Sequence, residues 1–143
     1  MIAISAQVSN SQGKHEVVVT TNQNAHAITI APKASGLGSS ANGGELLFLA
    51  LATCYCNDIY REAARRNLTV RRVDVTVSGE FGDAPGSAAQ NVTYSARVEA
   101  EASEAEIADL MKHTDTVAEI QNTLRQSAPV VPGTIEPVSV TKG

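Results

Sequence analysis

The 143 residues include no tryptophan, and only two Phe and three Tyr. A chain so poor in rings offers no stacking platform for single-stranded nucleic acid. Its core must be built mainly from Val, Ile, Leu and Ala. A basic excess is also missing, since 11 Lys and Arg stand against 15 Asp and Glu, for a formal charge of -4. Phosphate-binding surfaces need the opposite sign, so nucleic acid is not an expected partner. The apolar run from Leu46 to Cys56 falls well short of the roughly 20 residues that cross a bilayer, so no membrane span is expected. The opening Met-Ile-Ala-Ile-Ser-Ala-Gln-Val has no basic region followed by an apolar stretch of signal-peptide length; it alternates like a strand, as a mature cytoplasmic protein would.

Cysteine is scarce too, and both copies, Cys54 and Cys56, sit in that one apolar segment. In a reducing compartment two cysteines are not a structural disulfide framework. Side chains two apart on a helix point about 200° away from each other, so a Cys54–Cys56 bond would require the helix to unwind. With His15, His26 and His113 scattered elsewhere, the spacing suggests no metal site, and no metal or other cofactor is expected. Two readings of the thiols stay open. They are small apolar fillers of a tight helix crossing, or one of them is a nucleophile that works as a thiolate.

What the chain does have is ordered patterning. Ile2 to Val8, Glu16 to Thr20 and Ala25 to Ile30 read as strands of a small antiparallel meander, separated by Asn10-Ser-Gln-Gly13 and Asn22-Gln-Asn24. The Gly- and Ser-rich stretch from Pro32 to Gly44 is a loop, and Asn42 is placed to cap the helix that follows. That helix is apolar on every side over residues 46–52 and amphipathic from Asn57. Running from Gly43 to Arg66, it would be about 36 Å long. Cys54 shares a face with Asp58 and Arg61, whereas Cys56 shares one with Ala52 and Tyr60. Arg61 is a candidate cation for Cys54.

Strict alternation over Val70 to Phe81 and Asn91 to Glu101, joined by Gly82-Asp-Ala-Pro-Gly-Ser87, predicts a second antiparallel pair. Ser103-Glu-Ala-Glu106 opens a helix to about Lys112, and Thr116-Val-Ala-Glu119 repeats the capping spacing before a helix ending near Arg125. His113 reads as a dipole partner at the end of the first of these helices. A last strand is expected from Thr134 to Thr141. The whole is a single α+β domain over residues 1–143, with two antiparallel sheets around a long buried helix. One small chain cannot easily enclose that helix alone, and exchange of elements in an intertwined homodimer would supply the cover.

The stretch from Asn42 to Cys54, Asn-Gly-Gly-Glu-Leu-Leu-Phe-Leu-Ala-Leu-Ala-Thr-Cys, resembles the central helix of the OsmC/Ohr family of thiol peroxidases. The likeness extends through Gly79-Glu-Phe-Gly82 to Glu119-Ile-Gln-Asn-Thr-Leu-Arg125, nearly the whole chain. It implies an intertwined dimer around two long helices and reduction of organic hydroperoxides. The family works with a peroxidatic cysteine, a resolving cysteine, and an Arg and a Glu that activate the thiolate. The resemblance puts the peroxidatic cysteine on Cys54. The resolving cysteine falls near Ala118, leaving Cys56 or an external thiol reductant to complete a cycle. The family Glu falls on Gly44 with Glu45 one step on, and the family Arg falls in the turn holding Lys14. The candidate site residues are therefore Cys54, Cys56, Glu45 and Lys14. The substrate is a hydroperoxide, or, if the thiols only pack, a small hydrophobic ligand held by a binding protein of the same fold.

Overall fold

Helix α1, Gly43–Arg65, is the longest element in the computed structural model, which describes residues 1–141. Its start follows from a reciprocal cap: Glu45 N–H donates to Asn42 Oδ1 and Asn42 N–H to Glu45 Oε1, both at 2.8 Å. Two orphan donors of the first turn are satisfied at once. The chain packs as two compact units, the first Met1–Ala50 with Val77–Val92 and the second Leu51–Thr76 with the chain from Thr93 onward.

The first unit carries the meander. Strands β1 (Ile4–Ser11), β2 (Lys14–Thr21) and β3 (Asn24–Ala27) form an antiparallel sheet in that order. β1 begins two residues later than its pattern suggests and runs on to Ser11, because Ser11 pairs with Lys14 across the two-residue turn Gln12-Gly13. Gly13 takes φ +75°, which a side chain would resist. Phe48 and Phe81 stack with centroids 5.8 Å apart, and Gly79 makes room for them. A methyl there would meet Phe48 Cζ at 2.9 Å.

The second unit holds the core. Tyr55, Ile59 and Ala63 on α1 and Leu110 on α2 (Glu104–Val117) are buried together, and Val70, Val73, Val75, Tyr94, Ala96 and Val98 pack on them. The last six lie on strands β4 (Val70–Phe81) and β5 (Ala89–Ala100), which form the two-stranded antiparallel sheet. Alternation thus delivers one face of each strand to the helix. Tyrosine has a larger part here than the composition suggests. Tyr55 and Tyr94 lie 4.8 Å apart by ring centroid, and Tyr55 donates to Met111 O at 2.9 Å, so the hydroxyl is satisfied.

Three expectations change. Ser103 does cap α2, accepting from Glu106 N–H at 3.2 Å. The second capping box does not form, because α2 continues to Val117 and Thr116 donates instead to His113 O at 2.6 Å. α3 (Glu119–Arg125) starts from Ala118 with no side-chain cap. His113 is therefore inside α2, and its Nε2 lies 2.8 Å from Glu62 Oε1 rather than serving a helix end. Finally, the strand expected from Thr134 to Thr141 does not form: among the described residues this segment has no regular secondary structure and its apolar side chains are exposed.

Glu62 is the charge hub of this unit. Its buried carboxylate is 2.8 Å from Arg61 Nε, 3.1 Å from Arg65 Nη1 and 2.8 Å from His113. Hydrogen bonds from Arg61 first, then His113, hold its pKa down to about 2 against an ordinary 4.5. A depressed carboxyl stabilises the fold fully above its unfolded pKa and loses that contribution as pH falls through its folded one. Glu62→Gln is therefore expected to lower stability at neutral pH and to flatten the loss of stability between about pH 4.5 and 2, read by urea denaturation at a series of pH values. An unchanged acid limb would remove Glu62 from that role.

Candidate functional site

Cys54 sits at the middle of α1, the twelfth of its 23 residues, within the core unit, half-buried and free. A helix places residues four apart above one another, so Asp58 lies directly beside it: Cys54 Sγ is 3.5 Å from Asp58 Oδ2. The third member comes from far along the chain. Glu119, the first residue of α3, brings Oε2 to 3.9 Å from the same sulfur. α3 is held there by Gln121, whose Nε2 donates to Leu51 O at 3.0 Å, one turn before Cys54.

Arg61 joins the carboxylates from the other side. Its Nη1 lies 3.0 Å from Asp58 Oδ1 and 3.1 Å from Glu119 Oε1. One oxygen of each carboxylate is thus bound to the guanidinium while the other faces sulfur. Arg61 is indeed on the Cys54 face, but it braces the acids and does not touch the thiol. The electrostatics follow. Burial pushes the Cys54 thiol up; the backbone N–H of Ile120 works against that, and the charges of Asp58 and Glu119 push it further up. Burial and the neighbouring Glu119 also raise Asp58. The sulfur is a protonated thiol at neutral pH, with proton acceptors in contact.

The other sequence candidates are placed as follows. Cys56 is free and faces a separate open pocket of about 250 Å³ lined by Ala52, Thr53, Asn57, Val73 and Val75. Glu45 is engaged in the cap with Asn42. Lys14 is exposed and pairs with Glu16 at 3.2 Å. At Gly44, where the resemblance puts the activating Glu, an added Cβ would meet Phe81 Cε2 at 3.0 Å. Phe81 fills the place that a side chain would need. Ala118, near which the resemblance puts the resolving cysteine, is fully buried.

Asp58 is within reach of the sequence as the i+4 neighbour of Cys54, whereas the spacing of Glu119 from Thr116 points to a cap. The available signal was its place beside Ala118, the segment that the resemblance sets against the thiol.

Comparison with known proteins agrees with this architecture. The profile of the family described as OsmC-like protein matches residues 36–132. Among curated proteins no sequence matches. An OsmC-like protein from Mycoplasma pneumoniae is similar in fold, with a TM-score of 0.59 at 18% identity over 87% of each chain. An organic hydroperoxide resistance protein from Elizabethkingia anophelis has a TM-score of 0.55 at 16% identity, covering 86% of this chain and 88% of that one. An OsmC-like hydroperoxide resistance protein from Jannaschia sp. covers 97% of this chain and 95% of its own, with a TM-score of 0.53 at 15% identity. With the family profile spanning the central helix, the β4–β5 hairpin and α3, and so every side chain around Cys54, the chain belongs to the OsmC-like family.

Proposed function

We propose that the protein is a thiol-dependent peroxidase that reduces organic hydroperoxides at Cys54. The observation that carries this reading is the thiol held 3.5 Å from a carboxylate that can take its proton. Sulfur attacks the distal oxygen of R–O–O–H while its proton passes to Asp58. The O–O bond breaks, sulfur becomes sulfenic acid, and Asp58 returns the proton to the departing alkoxide, which leaves as R–OH. Two equivalents of an external thiol then reduce the sulfenic acid, giving a disulfide and water and restoring Cys54. Cys56 faces another pocket from the opposite side of α1, so an external reductant suits this chain better than Cys56 does. Arg61 keeps both carboxylates oriented through their far oxygens.

A second reading, a binding protein for a small hydrophobic ligand, is favoured by one feature. The pocket beside Cys56 has Ala52, Val73 and Val75 in its walls.

The protein works as a homodimer in this proposal. Leu46 and Leu49 on α1 are 37% and 58% exposed, and Val130, Val131, Ile135, Val138 and Val140 are each at least 72% exposed. Apolar surface on this scale is covered in a stable protein, and a second copy is the simplest cover. Sedimentation at micromolar concentration is expected to give the mass of two chains, with Leu49→Asp shifting it toward one; a wild-type monomer would remove the dimer.

Steady-state consumption of cumene hydroperoxide with a small thiol reductant separates the two functional readings. Cys54→Ser is expected to abolish turnover and Cys56→Ser to retain it. Asp58→Asn should slow turnover by about 100-fold through loss of the proton acceptor. The same variant should shift the pH midpoint of Cys54 alkylation by iodoacetamide downward, because a negative charge beside the thiol is gone. Equal turnover in Cys54→Ser would leave the binding reading standing.

A further inference from the structure

We infer that Cys54, Asp58 and Glu119 form a binding site for one divalent transition-metal ion of the zinc type. The sulfur and one oxygen from each carboxylate lie within 4.8 Å of one another, although the residues come from two helices 65 positions apart in the chain. A tetrahedral ion with a sulfur at about 2.3 Å and oxygens at about 2.0–2.2 Å has sulfur-to-oxygen edges of roughly 3.5–3.7 Å. The two such edges here are 3.5 and 3.9 Å. The third edge, between the two carboxylate oxygens, is no longer than 4.8 Å and would close to roughly 3.3–3.6 Å on binding, a movement available to the exposed Glu119 side chain.

Charge and second contacts fit the same ion. A thiolate and two carboxylates carry three negative charges, Arg61 supplies one positive charge, and a divalent ion brings the set to neutrality. Because Arg61 bonds Asp58 Oδ1 and Glu119 Oε1, it leaves Oδ2 and Oε2 turned to the sulfur, as an outer-shell residue orients metal ligands. Three protein ligands would leave a fourth position open to water. The mixed sulfur and oxygen donors favour zinc-like ions over magnesium or calcium, which take oxygen alone. A metal on Cys54 would hold the sulfur as a bound thiolate, so a metal-loaded chain and a peroxide-reducing chain are alternative states of one residue.

The inference does not rest on peroxidase activity, and its test needs no peroxide. Untagged protein, reduced and stripped of metal, is titrated with cobalt(II). One equivalent per chain is expected to bind, with an intense thiolate-to-cobalt charge-transfer band in the near ultraviolet. Zinc should displace the cobalt and bleach that band. Cys54→Ser should lose the band, Cys56→Ser should keep it, and Glu119→Gln should weaken cobalt binding by about tenfold or more. Glu119 is exposed, so its variant keeps the fold even if a change at Cys54 does not. Absence of saturable uptake, uptake without the band, a band lost in Cys56→Ser, or unweakened binding by Glu119→Gln would each overturn the site. Peroxide consumption can fail or succeed independently of all of these results.

Discussion

The hydrogen bond from Gln121 Nε2 to Leu51 O determines where the chemistry of this chain can take place. Leu51 and Gln121 are both buried, so breaking the bond would leave the Gln121 amide N–H without water to replace its partner. By tying α3 to α1 one turn before Cys54, it brings Glu119 to the sulfur and gives Arg61 two carboxylates to bridge. Without that anchor, Cys54 and Asp58 would still be neighbours, as any helix makes i and i+4 neighbours. The second acid would be missing.

Gathering two acids and a thiol in one half-buried place creates a surplus of negative charge that Arg61 only partly offsets. The consequences are visible as raised affinities for protons at Cys54 and Asp58. A site of this kind holds a proton, passes it to a substrate, or exchanges it for a cation. It differs from one that activates a thiolate with a neighbouring Arg, because here the guanidinium faces the acids. Phe81 against Gly44 and the cap between Glu45 and Asn42 belong to the same pattern. Positions at which the resemblance implies activating groups are taken up by packing and capping, and the polar groups around Cys54 come from α1 itself and from α3.

Much of the fold was legible in local patterns. The N-cap at Asn42 and the change from an all-apolar to an amphipathic pattern located α1, and alternation located β4 and β5 almost to the residue. Cys54, Asp58 and Arg61 could be put on one face by counting. Glu119 could not, because its approach depends on Gln121 bonding a carbonyl 70 residues earlier, which leaves no periodic trace. Thr116 looked like a cap because the spacing to Glu119 is right, yet α2 runs one turn longer and takes Thr116 inside it. The alternation of residues 134–141 has the period of a strand, but a strand also needs an edge, and pairing is not a property of one segment.

The most direct test of the central claim, that Cys54 is the reactive group of this chain, is the intact mass of the reduced, metal-free protein after one equivalent of cumene hydroperoxide, with the oxidised residue located by peptide mapping. Gain of a single oxygen on Cys54, or trapping of a sulfenic acid there by dimedone, is the predicted result. An unchanged mass, or oxidation that falls on Cys56 alone, would contradict it.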